Sequence, residues 1–187
     1  MSTIEAKNTI TPEQFLALPE ADRFELIDGN LVERNVSVLS SLVENLVALR
    51  LTLFATNSQA GLVWGSSLGY QCFPQSPNKV RKPDVSFVRS DHFVASSLED
   101  GFLHIRPDIV VEVVSPNDGK YEVDEKIEEY LSIGVPLVWI VNPETRIVEI
   151  HRPDGSVTKL HASEEITGEA VLPGFRCPVA DFFPAIR

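Results

Sequence analysis

The chain has 187 residues, 43% of them hydrophobic, with a formal net charge of −11 and a pI near 4.8. That length suits one well-packed core better than two, so a single domain over residues 1–187 is expected. The acidity excludes a protein that coats DNA regardless of sequence, because phosphate binding rests on Lys and Arg. It leaves room for an enzyme that meets nucleic acid through a local basic patch and a divalent cation.

The first residues, MSTIEAKNTITPEQ, show no basic segment leading into an apolar one, and no apolar run approaches the length of a membrane span. Cys72 and Cys177 form neither a disulfide framework nor a CxxC site. A cytoplasmic protein with buried, reduced thiols and no membrane partner is expected.

Taken in order, Thr11-Pro12-Glu13-Gln14 starts a short helix to about residue 18, with Thr as cap and Pro in the first turn. Asp28-Gly29 between residues 23–27 and 30–33 signals a hairpin with a type I′ turn. Residues 37–56 read as a long amphipathic helix with Leu42, Leu46, Leu49 and Leu53 on its apolar face. Strands are expected at 62–64, 68–73 and 85–88, with a loop at 74–78; residues 89–101 fit either a short helix or a loop.

Residues 109–114 are Val or Ile at every position except Glu112, the pattern of a buried strand. A helix follows at 121–133, with Val123, Ile127, Tyr130 and Leu131 on one stripe. Gly134 and Pro136 end it. Strands at 137–141, 147–152 and 157–161 come next. The apolar tail 173–187 is expected to pack back as a short helix or an extended segment. The sum is a mixed α+β (α/β) fold, a central mixed sheet flanked by few helices.

A carboxylate inside an apolar strand is costly to bury unless something pairs with it or coordinates it, so Glu112 is the residue to explain. Asp84 opens another apolar strand in KPDVSFV. If the two strands are neighbours, both carboxylates meet at one point of the sheet. Together with a strand carbonyl they supply the oxygen ligands that Mg²⁺ or Mn²⁺ prefers. Lys126 lies at the flank of its helix stripe, about 60° from Val123 at about 100° per residue, where its stem can follow the core edge toward the sheet. A lysine there can position a water and offset charge on a phosphate.

Four segments carry a family resemblance: FELIDGNLVE at 24–33, RKPDVSFV at 81–88, RPDIVVEVVSP at 106–116 and KIEEYLSIGVPLVWIVNPE at 126–144. With their spacing, the chain resembles the PD-(D/E)XK nuclease superfamily. It is more closely similar to the bacterial family described as putative restriction endonucleases, once called a domain of unknown function. The resemblance implies a restriction-endonuclease-like fold and a Mg²⁺-dependent DNA endonuclease, with Mn²⁺ as a substitute ion. Asp84 and Glu112 would be the metal-binding acids and Lys126 the catalytic lysine. The superfamily lysine two residues after the acid is here Val114; the close family carries it on the next helix, which matches Lys126. Where that family often has a His near the start of the long helix, this chain has Ser40 and Ser41. The alternative is a nuclease-fold module without catalysis that binds nucleic acid or protein.

Other residues carry weaker signals. Glu25 and Glu44 are candidates for an extra acid, although hairpin and helix surfaces carry acids routinely. Gln71 is a candidate to line the site, against a purely local bond. Asp108 shares a face with Glu112 but lies about 13 Å away along the strand at 3.3 Å per residue, which makes it a residue of the strand start. Lys126 has a bland reading as a surface pair with Glu122. Lys79, Arg81 and Lys82 are either solvated or a phosphate contact beside Asp84. His92, His104, His151 and His161 show no ligand spacing. A homodimer is expected for an enzyme that addresses two strands, with the apolar tail and residues 137–161 as contact surfaces.

Overall fold

The computed structural model describes residues 9–93 and 101–185. Most of the undecided segment 89–101, and Ile186 of the tail, lie outside the described residues. Helix α1 (Pro12–Leu16) opens with the expected capping box between Thr11 and Gln14. Strands β1 (Phe24–Ile27) and β2 (Asn30–Glu33) form an antiparallel hairpin. Its turn residues Asp28 and Gly29 have φ of 49° and 81°, the left-handed pair that a type I′ turn requires.

Helix α2 (Val38–Ser58) is capped by reciprocal bonds between Ser37 and Ser40. After it come β3 (Gly61–Gly65), β4 (Val85–Arg89), β5 (Ile109–Val113), helix α3 (Lys120–Ser132), β6 (Leu137–Asn142), β7 (Ile147–His151) and β8 (Val157–His161). Gly134, at φ 81°, turns the chain out of α3 toward β6. These six strands form one sheet in the order β3-β4-β5-β6-β7-β8. All neighbours are antiparallel except β5 and β6, which are parallel and joined by the α3 crossover. The fold is thus the expected mixed α+β arrangement, a central mixed sheet flanked by helices.

Side-chain alternation splits the sheet into two faces. Val85, Phe87, Ile109, Val111, Val113 and Trp139 pack against α2 and the C-terminal segment. Val110, Val138 and Ile140 pack on the opposite face with Ile127 and Tyr130 of α3. Glu112 alternates with its neighbours onto this α3 face.

Two sequence expectations need correction. The stripe of α2 that enters the core is Val43, Val47, Leu51 and Ala55. Leu42, Leu49 and Leu53 remain 40%, 48% and 50% exposed. The helix is apolar around most of its circumference, so the leucine stripe stood out by size while the sheet took the slimmer stripe. Residues 68–73 form no strand; Tyr70 makes isolated bridges to Arg81 and Leu103.

The tail packs back as expected, first as the extended strand β10 (Leu172–Pro178), paired with β9 (Glu165–Gly168), and then as a short 3₁₀ helix at Val179–Phe182. Phe175, Phe182 and Phe183 are core residues, so the tail's aromatic side chains pack within the chain.

Candidate active site

The β4–β5 register pairs Val85 with Val111. Carried one residue further, it sets Asp84 opposite Glu112, both on the α3 face of the sheet. The strand neighbourhood that the sequence required is therefore present.

Each carboxylate is held by two donors. Glu112 Oε2 accepts from Lys126 Nζ at 2.9 Å and Oε1 from Tyr130 Oη at 3.0 Å. Lys126 and Tyr130 are one helical turn apart, so α3 presents both to the same strand residue. Asp84 Oδ1 accepts from Arg34 Nη2 at 2.9 Å, and Oδ2 from the Val113 N–H at 2.7 Å. Arg34, just beyond β2, also donates to the Ser66 carbonyl at 3.1 Å.

Glu25 joins from the hairpin. Leu26 and Val80 exchange both backbone hydrogen bonds, which ties β1 to the segment before Asp84. The buried Glu25 carboxylate then accepts from the Lys82 N–H at 2.7 Å and Arg81 Nη1 at 3.1 Å, and lies 3.4 Å from Lys126 Nζ. Lys126 thus serves two acids, and the surface pairing with Glu122 is not the one it makes.

Burial dominates the electrostatics. It pushes Glu112 up to about 7, the attraction of Lys126 being outweighed, with Asp84 and Glu25 adding repulsion. It pushes Asp84 up to about 6, against Lys126, the Val113 N–H and Arg34, with Glu44 adding repulsion. Burial also works against Glu25, but Lys126, Arg81 and the Lys82 N–H together hold it below the usual carboxylate range. For Lys126 burial disfavours the charge, yet Glu112, Glu25 and Asp84 raise it above the ordinary lysine range. Three buried acids share one lysine.

These side chains line a cavity of about 250 Å³ between the hairpin, the end of β5 and the first turns of α3. Glu33, Asp118, Glu122 and Glu125 add further acid to its wall. Cations are therefore drawn to this recess, and a polyanion meets repulsion unless positive charge comes with it.

The remaining candidates fall elsewhere. Glu44 acts on Asp84 through its charge. Gln71 donates locally to the Pro77 carbonyl at 2.9 Å. Asp108 accepts from the Arg89 N–H at 2.9 Å and pairs with His92 Nδ1 at 2.9 Å, tying down the end of β4. His104 meets the Gln71 carbonyl, and His151 lies 3.6 Å from Glu149. Among the described residues no three Asp, Glu, His or Cys side chains are gathered as a metal cage.

The basic cluster is not solvated. Lys79 and Arg81 pair with Glu129 at 2.5 and 2.7 Å. Lys82 donates to the Ala21 carbonyl at 2.8 Å and lies over the Phe15 ring. All three are over nine-tenths buried. Sequence reasoning undervalued Glu25 and missed Arg34 and the role of Tyr130. An acid in the short FELI strand and a tyrosine four residues after Lys126 were the available signals; Arg34 offered none.

Comparison with known proteins adds three findings. No curated protein matches the chain. The fold is similar to the crystal structure of a putative nuclease of DUF820 from Anabaena variabilis, with a TM-score of 0.76 and 19% identity over 92% of this chain and 97% of that one. At that identity the likeness speaks for the fold. The family model Uma2, described as "Putative restriction endonuclease", matches residues 12–180. The chain therefore belongs to the Uma2 family, and the nuclease resemblance carried by its four sequence segments stands.

Proposed function

We propose that the protein is a Mg²⁺-dependent endonuclease that hydrolyses phosphodiester bonds in DNA, with Mn²⁺ as a substitute. In this reading Asp84 and Glu112 hold the ion and Lys126 handles the attacking water. Membership of a nuclease family supports a nucleic-acid substrate in general terms.

The observation that carries the metal reading is the facing pair Asp84 and Glu112, both raised by burial although Lys126 is already in contact with one of them. The recess holds more acid than its own cations neutralise. The donor chemistry fits a hard divalent ion: each carboxylate oxygen accepts one hydrogen bond and keeps a lone pair. Bound there, such an ion supplies Lewis acidity toward a phosphoryl oxygen and makes its water a better nucleophile.

The protein's own groups do the positioning. Tyr130 fixes Glu112, Arg34 fixes Asp84, and the Lys126 ammonium holds a water and offsets charge that develops on the phosphate. The non-catalytic alternative draws on Ser40, whose hydroxyl is engaged in the cap of α2 and offers no base. Mn²⁺ calorimetry beside cleavage of plasmid and single-stranded DNA tests the reading. Binding with cleavage that chelator abolishes is expected; binding without cleavage selects the alternative, and no binding overturns both metal roles.

We also propose a homodimer, with α2 as its contact in place of the tail and residues 137–161. The outward residues Leu42, Leu46, Leu49 and Leu53 repeat at the 4-3-4 spacing of a helix-pairing seam, and three of them, Leu42, Leu49 and Leu53, are 40%, 48% and 50% exposed. In a chain of net charge −11, the whole of α2 carries one acid, Glu44, and one base, Arg50. Charge depletion marks the centre of an interface, and a seam of this spacing is complementary to its own copy about a two-fold axis. Light scattering at tens of micromolar is expected to give twice the monomer mass, and Leu49→Glu with Leu53→Glu the monomer mass. A monomeric wild type removes the idea.

A further inference from the structure

Arg81 has a donor to spare. Its Nε reaches Glu129 at 2.7 Å and its Nη1 reaches Glu25 at 3.1 Å, but the buried Nη2 has no hydrogen-bond partner. Glu125 Oε2 lies 3.9 Å from it, beyond hydrogen-bond reach. Arg81 and Glu125 both line the cavity that holds Asp84 and Glu112. Their exposures differ sharply: 5% for the Arg81 side chain and 61% for that of Glu125.

A buried donor without a partner is rare enough in folded proteins to need a reason. Here the guanidinium is fixed by two acids on its other edges, so the free edge is held in place without a bond of its own. We infer that this edge of Arg81 is a phosphate subsite, taking a non-bridging oxygen of a nucleic-acid phosphate beside the scissile one, with the exposed Glu125 side chain as its displaceable cover.

A planar guanidinium with an unspent edge in a desolvated recess matches a phosphate oxygen better than a lysine does. Lys79 and Lys82, its neighbours in the basic cluster, have their ammonium groups committed to Glu129 and to the Ala21 carbonyl. Glu125 repels an incoming phosphate until its side chain swings into solvent, which its exposure permits. The subsite rests on the nuclease reading above, since it supplies substrate contact for that same recess.

The test is anisotropy of fluorescent single-stranded and duplex DNA oligonucleotides, with Ca²⁺ in place of Mg²⁺. Glu125→Ala is expected to tighten binding about 3–10-fold by removing the cover. Glu128→Ala removes the same charge from an exposed position of α3 outside the cavity, and is expected to change affinity less than about twofold. Arg81→Lys keeps a cation between Glu25 and Glu129 but loses the fork; it is expected to weaken binding about tenfold, the loss of one charge-assisted bond. A melting curve checks that it folds.

The decisive comparison is the double variant: in the Arg81→Lys background the Glu125→Ala gain should vanish. A gain matched by Glu128→Ala, a gain that survives Arg81→Lys, no gain, or no DNA binding by the wild type each overturns the subsite. Mn²⁺ calorimetry on the same proteins separates the two readings. Intact binding that depends on Asp84 and Glu112 leaves the metal site standing when the subsite fails.

Discussion

Asp84→Asn or Glu112→Gln is expected to weaken Mn²⁺ binding on the order of 100-fold and to end DNA cleavage, because each removes an anionic oxygen ligand. The same changes are expected to leave the metal-free fold as stable as the wild type or more so at about pH 8. The direction follows from proton linkage. Glu112 titrates at about 7 in the folded protein against an ordinary 4.5, and Asp84 at about 6 against 3.8. Folding then favours their protonated forms. The stability this gives is complete below the ordinary values and is lost as pH rises through the folded ones.

Glu25 runs the other way: its carboxylate is held low, so its contribution is present above 4.5 and lost as pH falls through its lower folded value. Between about pH 5 and 7.5 the first pair dominates. In chelator, wild-type stability should fall across that window relative to Asp84→Asn/Glu112→Gln by on the order of 2 kcal/mol. Melting curves at several pH values measure it. Parallel wild-type and variant profiles would refute the view that the two acids are crowded in a dry recess.

The parts of this site legible in the sequence were those with a contradiction in them. Glu112 stood alone among five β-branched apolar residues, and burial of such a carboxylate requires a partner. Its partner Lys126 could be found because helix periodicity places it at the edge of a stripe, within reach of the sheet. The β-strand core, the crossover helix and its Gly134 stop were written in periodicity and turn chemistry for the same reason: local pattern and tertiary role agree there.

What the pattern did not carry was tertiary choice. On α2 two apolar stripes compete, and the sheet selected Val43, Val47 and Leu51 over the larger leucines. In the basic cluster, residues that composition would place in solvent are buried because Glu25 and Glu129, distant in the chain, meet them. Arg34 reaches Asp84 across fifty positions of sequence. No spacing rule connects residues that far apart; the hairpin's docking through Leu26 and Val80 does.

Lys126→Ala is expected to separate metal binding from chemistry. The lysine is no ligand, so Mn²⁺ should still bind, while cleavage falls about 10²–10³-fold with the loss of the group that holds water and offsets phosphate charge. Its effect on the fold is also large. Lys126 lies 2.9 Å from Glu112 and 3.4 Å from Glu25, and Asp84 feels its charge as well. Removing one partner of a buried ion pair leaves uncompensated charge and costs about 3 kcal/mol, so the metal-free variant should melt well below the wild type.

A divalent ion offers the same acids a replacement for the missing cation. Mn²⁺ is therefore expected to raise the melting temperature of Lys126→Ala by more than it raises that of the wild type, as tighter binding to the folded state requires. Lys126→Met keeps most of the buried stem and should behave like the alanine variant if charge, and not packing, is responsible. Melting curves with and without Mn²⁺, calorimetry and plasmid cleavage on the three proteins read out each step. Equal Mn²⁺ shifts in wild type and variants would mean that the ion does not draw on the acids Lys126 neutralises. Undiminished cleavage would remove the lysine from the chemistry.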